Sequence, residues 1–166
     1  MLVFLFDFCY TFYMYDYKRL YEKHARFYRA HKKAEKCLIF SNTFLTWLFV
    51  SAYAGLLLFI ALRFRAWEHF LKVLIPPVGC FLLVYPLRLL FNRKRPYHKE
   101  GAGITPFVKK EAQHSFPSRH LACALAIATV FLPYSLWAGV CLSVLSIGMA
   151  YVRFALGLHY PSDLPQ

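Results

Sequence analysis

Acidic side chains are scarce in this chain: eight Asp and Glu stand against twenty Lys and Arg, a formal net charge of +12. No cluster of carboxylates offers itself as a magnesium or calcium cage, so metal-free chemistry without a cofactor is the expectation. Cysteine is equally uninformative. The five (Cys9, Cys37, Cys80, Cys123 and Cys141) are scattered, without a Cys-x-x-Cys pair or zinc spacing. They read as small buried hydrophobes. No internal repeat or low-complexity tract breaks the chain. No basic groove interleaved with aromatics stands apart from the apolar runs, which argues against a nucleic-acid partner. Nor does the beginning read as a secretory signal, because basic residues follow the apolar run at residues 1–17 instead of preceding it.

Apolar length is what the chain has in abundance. Its 166 residues suffice for one domain, and 59% hydrophobic with 19% aromatic content exceeds what a soluble core of that size needs. Several uncharged runs approach or exceed the length of a bilayer crossing. An all-α, integral membrane helical bundle follows, with about four spans near residues 38–62, 70–91, 117–135 and 137–158. Pro76 and Pro77 predict a kink in the second span, tolerated where neighbours satisfy the freed carbonyls. From Leu121 to Val152 no charge occurs, too long a run for one crossing. Pro133, Tyr134 and the stretch Trp137 to Gly139 predict a hairpin turn there, which returns His159 to the membrane face of His120.

Residues 1–37 form an aromatic and basic N-terminal segment ahead of a transmembrane domain at 38–166. The stretch 1–17 reads either as an interfacial helix or as a marginal first span. Residues 18–36 carry eight Lys and Arg, with Tyr17, Leu20, Tyr21, His24, Phe27 and Tyr28 at helical spacing between them. That pattern predicts an amphipathic helix on a membrane surface, serving as a topology anchor or a lipid-headgroup site. The loop from Tyr97 to Phe116 is expected to be irregular and exposed.

The residues suited to chemistry fall in three groups. Arg88 and Arg95 are seven apart, so a helix continuing to Pro96 would put both guanidinium groups on one face as an oxyanion clamp. The plainer alternative is snorkelling to the headgroups. Pro117, Ser118, Arg119 and His120 stand where a helix should begin, and helix N-termini bind anions. His120 is then either a general acid or a polar cap. Arg153 follows the long uncharged run and calls for a counter-anion. Asp163, four residues after His159, could orient that imidazole as a nucleophile, or the segment is an ordinary polar loop. Together they make an inventory for holding a tetrahedral anion, attacking it and protonating a leaving group.

Arg88-x6-Arg95-Pro96, Pro117-Ser118-Arg119-His120 and Arg153-x5-His159-x3-Asp163 resemble, in order and spacing, the three-part signature of the type 2 phosphatidic acid phosphatase superfamily. The resemblance covers about residues 71–163. It implies a metal-independent lipid phosphatase with a helical core shared with vanadium haloperoxidases and glucose-6-phosphatase. By matching position, it implies that His159 is the nucleophile that becomes a phosphohistidine, that Asp163 activates it and that His120 protonates the leaving oxygen. Arg88, Arg95, Ser118, Arg119 and Arg153 fall where the family binds phosphate. Departures are Arg88 in place of a usual lysine, Arg119 in place of a common glycine, and Val152 where a serine often stands. The family continues past Asp163 into a last membrane helix, expected to be missing here because three residues remain.

The expected function is hydrolysis of a lipid phosphate or pyrophosphate, phosphatidic acid-like or polyprenyl diphosphate-like. A non-catalytic anion- or lipid-binding membrane protein that keeps the pocket is the alternative. The expected partners are the bilayer, the lipid substrate and, since few-span chains often associate, a second copy of the chain. Positive charge near residues 18–36 would make the site face cytoplasmic, whereas the resemblance favours an extracytoplasmic site at the plasma membrane; the second is the expectation adopted.

Overall fold

The computed structural model describes residues 17–64, 67–98, 104–108 and 114–160. Residues 1–16, including the stretch read as an interfacial helix or marginal span, and Asp163 lie outside them. Among the described residues five α-helices are found: α1, residues 17–30; α2, Lys32–Arg63; α3, Trp67–Phe91; α4, Arg119–Phe131; and α5, Leu136–Ala155. An isolated bridge joins Lys94 to His114, and no strand occurs among the described residues. The bundle is all-α.

Three helices, α2, α3 and α5, are long and apolar enough to cross a membrane. Their outward faces carry large apolar side chains such as Trp47, Leu62, Leu83, Leu90 and Trp137, exposed in a way that suits lipid and not water. The segment expected to span at 117–135 is helical only over α4's thirteen residues, or about 20 Å at ~1.5 Å per residue, short of a ~30 Å hydrocarbon core. The reason lies at both ends. Pro117 sits outside the helix, ahead of the Ser118 N-cap, and the chain turns at Leu132.

The expected hairpin is present. Residues 132–135 turn between α4 and α5, and Gly139 lies so close to Leu132 that a Cβ there would come within 2.5 Å of its side chain. α3 packs on α4, and α2 packs against α3, α4 and α5. Leu45 and Phe49 of α2, Ala124, Ile127 and Ala128 of α4, and Leu142 and Met149 of α5 make the main core.

α3 runs through Pro76, Pro77 and Pro86 without interruption. Pro77 has no N–H to give the carbonyl of Val73 four residues earlier. The Tyr53 hydroxyl of α2 stands in, 3.3 Å from the Val73 oxygen and 3.2 Å from that of Leu74. A neighbouring helix thus supplies the missing donor.

The basic segment 18–36 is two helices and not one. His31 breaks the run with ψ at 87°, and Lys32, Lys33 and Lys36 belong to α2. The apolar stripe of α1 is also divided: Tyr17, Tyr21 and Ala25 are buried within the protein, while Leu20 and Phe27 remain exposed. Cysteines differ from expectation as well, since Cys37 and Cys141 are exposed and Cys80 and Cys123 half-buried. Cys9 lies outside the described residues.

α5 ends in a Schellman turn. The N–H of Gly157 reaches the Phe154 carbonyl at 2.9 Å, and that of Leu158 reaches the Arg153 carbonyl at 3.1 Å. Gly157 takes φ of +74°, and a Cβ there would meet the Tyr21 ring of α1 at 2.9–3.0 Å. Gly157→Ala is therefore expected to lower stability by roughly 1–3 kcal/mol, through left-handed strain and the displaced ring. Gly148→Ala, which meets nothing within 4 Å, should leave the melting temperature in detergent unchanged or slightly higher. Equal melting of the two variants would refute this account of the turn.

Candidate active site

The three sequence groups converge at one end of the bundle. Arg88 occupies the last turn of α3, as expected, and its Nε donates to the Pro117 carbonyl at 2.9 Å. This bond ties the end of α3 to the entry of α4. Arg95 arrives by another route than expected. α3 stops at Phe91, and Asn92, with φ of +39°, turns the chain away; asparagine tolerates that conformation better than most residues. Residues 93–95 then run alongside 114–115, with Ser115 N–H on the Arg93 carbonyl at 2.8 Å. An extended segment, not a helix face, delivers Arg95.

Ser118 is the N-cap of α4, yet its hydroxyl makes no capping bond. The contrast with α5 is instructive, because there the Ser135 side chain accepts from the Ala138 N–H. Ser118 is 1% exposed, and its hydroxyl has no hydrogen-bond partner among the described residues. The first-turn N–H groups of α4 also lack intrahelical acceptors by helix geometry, which makes this a ready anion site. The Phe116–Pro117 peptide just before it is cis.

Arg153, in the last turn of α5, is 2% exposed and Arg95 3% exposed. Arg153 feels the positive charge of Arg95 most strongly, then of Arg88 and Arg119. So the hairpin does bring α5's arginine to the other three. Nε and Nη1 of Arg95, and Nε and Nη2 of Arg153, have no acceptor among the described residues. Neither forms a salt bridge there, in contrast to Lys32, which pairs with Glu35 on the surface. Buried donors normally find partners, and buried charges need a counter-charge. A tetrahedral oxyanion satisfies both demands at once.

His159 follows the Schellman turn and is 1% exposed, while His120 is half-buried in the first turn of α4. The His159 segment is braced on several sides. Arg93 lies over the Tyr160 ring at 4.5 Å, Tyr17 packs on the same ring at 5.0 Å, and Phe107 N–H donates to the Leu156 carbonyl. The loop expected to be exposed is not wholly so, since Ile104 and Ser115 are buried. Thr105 receives the Tyr21 hydroxyl at 2.6 Å and Arg29 Nη2 at 2.7 Å. Burial pushes the Tyr21 phenol above its ordinary pKa against the opposing pull of Arg29, so it remains a neutral donor.

Tyr21, Arg93, Gly157 and Tyr160 are structural members of the site that the motif reading missed. A glycine two residues before the histidine was the available signal, because glycine commonly terminates a helix. Beside the polar end lies an apolar cavity of about 210 Å³, reached by Arg119 and His120 and walled by Phe49, Phe81, Ile127 and Met149. Arg119 is exposed, its guanidinium resting 5.3 Å over the Phe81 ring.

The fold and site together define a membrane-embedded helical bundle with an arginine-rich cluster at one end. The chain belongs to the PAP2 superfamily, whose sequence model matches residues 78–164. It is 33% identical over 95 residues to a protein of Escherichia coli (strain K12) provisionally named undecaprenyl-diphosphatase YbjG. That similarity covers 57% of this chain and 47% of the relative, so the chain spans about half the length of the protein it matches. No solved structure matches it.

Replacing Arg153 by methionine keeps the volume and removes a buried charge that three neighbours repel. Vanadate or phosphate is expected to raise the melting temperature of the wild type, by about 2.7 kcal/mol of linkage at a hundredfold excess over Kd. Arg153→Met should abolish that rise while leaving the unliganded protein as stable or more so. A large fall in unliganded stability would mean that Arg153 already has a counter-charge within the fold.

Proposed function

We propose that this protein hydrolyses a lipid phosphate or diphosphate without a metal, through a phosphohistidine intermediate. The observation that supports it most is the pair of buried guanidinium groups, Arg95 and Arg153, with donors that have no acceptor among the described residues. Family membership and the similarity to a provisionally named undecaprenyl-diphosphatase point to the same chemistry.

In this reading Arg88, Arg95, Ser118, Arg119 and Arg153 hold the phosphoryl oxygens and offset charge as the bond to the leaving oxygen lengthens. His159 supplies the lone pair that attacks phosphorus, and Asp163 steadies the imidazolium that forms. The bond from phosphorus to the lipid oxygen breaks, and His120 gives that oxygen its proton. Water, relieved of a proton by His120, then attacks the phosphohistidine and releases phosphate. The guanidinium cluster already concentrates positive charge, the part that magnesium plays in many phosphoryl-transfer sites. The apolar cavity beside His120 suits the first carbons of the departing lipid, acyl or prenyl. We place the site on the extracytoplasmic side of the plasma membrane, following the family.

The test is phosphate release from phosphatidic acid and polyprenyl diphosphates by the purified chain in detergent. Turnover is expected to persist in chelator and to fall by more than about 10³-fold in His159→Ala. Activity that survives His159→Ala would sink the nucleophile assignment, and activity lost to chelator would sink the metal-free mechanism. Tight vanadate binding without any turnover would favour the alternative, a binding protein that keeps the pocket.

A further inference from the structure

α1 presents three different faces. Tyr17, Tyr21 and Ala25 are buried against the protein. On the opposite side Arg19, Lys23 and Arg26, at i, i+4 and i+7, are exposed and together line one surface concavity with Leu20. Leu20 and Phe27, half-exposed at 50% and 56%, form a narrow apolar edge between these faces. Glu22 is the one acid in residues 17–30. An apolar edge beside a cationic row is the pattern of a helix lying in a membrane interface, with aliphatic groups in the acyl boundary and Lys and Arg among anionic headgroups. The position agrees, since α1 precedes α2 with only His31 between them.

The buried face reaches the site. Tyr21 lies against Gly157, two residues before His159, and its hydroxyl holds the Thr105 carbonyl. Tyr17 packs on Tyr160, one residue after His159. Arg29 holds Thr105 from the same helix, with a second contact to the threonine hydroxyl. A helix with one side in the headgroups and the other on both flanks of His159 couples the two.

We infer that α1 is a binding site for anionic phospholipid headgroups, and that their docking steadies the 156–160 segment in which His159 stands. The occupant is committed by charge: three exposed cations face outward beside an apolar edge, which a membrane-bound anionic headgroup satisfies and a free anion does not. Tyr17 and Tyr21 are positioning residues in this account. Its activity arm rests on the proposed lipid-phosphate reading; its binding arm does not.

The experiment uses the whole chain in nanodiscs of phosphatidylcholine, with or without a minority of phosphatidylglycerol. Amide exchange of residues 17–30 and 156–160 is followed beside the rate of phosphate release. Anionic lipid is expected to slow exchange in both segments and to raise kcat several-fold with little change in KM, and added salt should reverse both effects. The variant Arg19→Gln/Lys23→Gln/Arg26→Gln should match the wild type in neutral discs and lose the response. A variant that still responds fully, or protection gained by residues 17–30 alone, overturns the inference. Inorganic phosphate reproducing both effects in neutral discs also overturns it, because the arginine cluster would then be the binding site. If no substrate is turned over, the function reading fails by itself and exchange still decides the coupling.

Discussion

Arg95 and Arg153 are held below the surface of the bundle, within reach of each other's charge and of Arg88 and Arg119. A buried, uncompensated guanidinium costs several kcal/mol, and neighbours of like sign add to that cost. Packing elsewhere must offset it: the α2, α4 and α5 core, and the close contact of the α4–α5 hairpin at Gly139. Among the described residues no counter-charge meets these two arginines, and in the proposed reading a bound anion supplies it. In the proposed reading binding and folding are linked there with a definite sign, because each phosphoryl oxygen would replace repulsion with charge-assisted hydrogen bonds.

Local backbone devices bring His159 and the start of α4 to the arginine-rich end of the bundle. The Schellman turn folds Leu158 back on the Arg153 carbonyl, so His159 follows Arg153 by a short reversed path instead of another helical turn. The spacing of five residues between them is the length of that device. At α4 the N-cap serine withholds its hydroxyl from the helix, and Arg88 closes the approach by bonding Pro117. The α4 cap thereby leaves the Ser118 hydroxyl without a partner among the described residues, beside first-turn N–H groups that have no intrahelical acceptor.

The architecture was legible because its signals are long. Uncharged runs define spans whatever their packing, and Pro133 with Tyr134 marked the hairpin within a residue or two. The convergence of Arg88, Arg95, Ser118 and Arg153 followed from counting crossings. What sequence could not show was set by tertiary contacts. A helix continuing to Pro96 would set Arg95 on the face of Arg88, and nothing before Pro96 forbids one; the positive φ at Asn92 decides otherwise. The α1 segment reads as a surface helix, a topology anchor or a lipid-headgroup site, because its tyrosines look alike at helical spacing; only the contacts with Gly157, Thr105 and Tyr160 separate the buried ones from Leu20 and Phe27. The start of α4 is marked by Pro117 and Ser118, whereas apolar content does not report that the helix already ends at Phe131.

The departures from the family pattern bear on how the pocket tolerates four arginines. A lysine at position 88 would offer a point charge on a flexible stem; the arginine's planar fork donates Nε to the Pro117 carbonyl. One residue therefore both ties α3 to α4 and contributes charge. Arg119 replaces a glycine, yet its side chain lies outside, over Phe81 at the rim of the apolar cavity, so the backbone N–H stays in the first turn of α4. Stacking on an aromatic face holds a cation at modest gain, about 0.5–1 kcal/mol when exposed. That is weak enough for an arriving anion to draw the guanidinium away. Arg119 thus carries charge to the rim of the apolar cavity, where, in the proposed reading, a lipid phosphate's headgroup would join its chain.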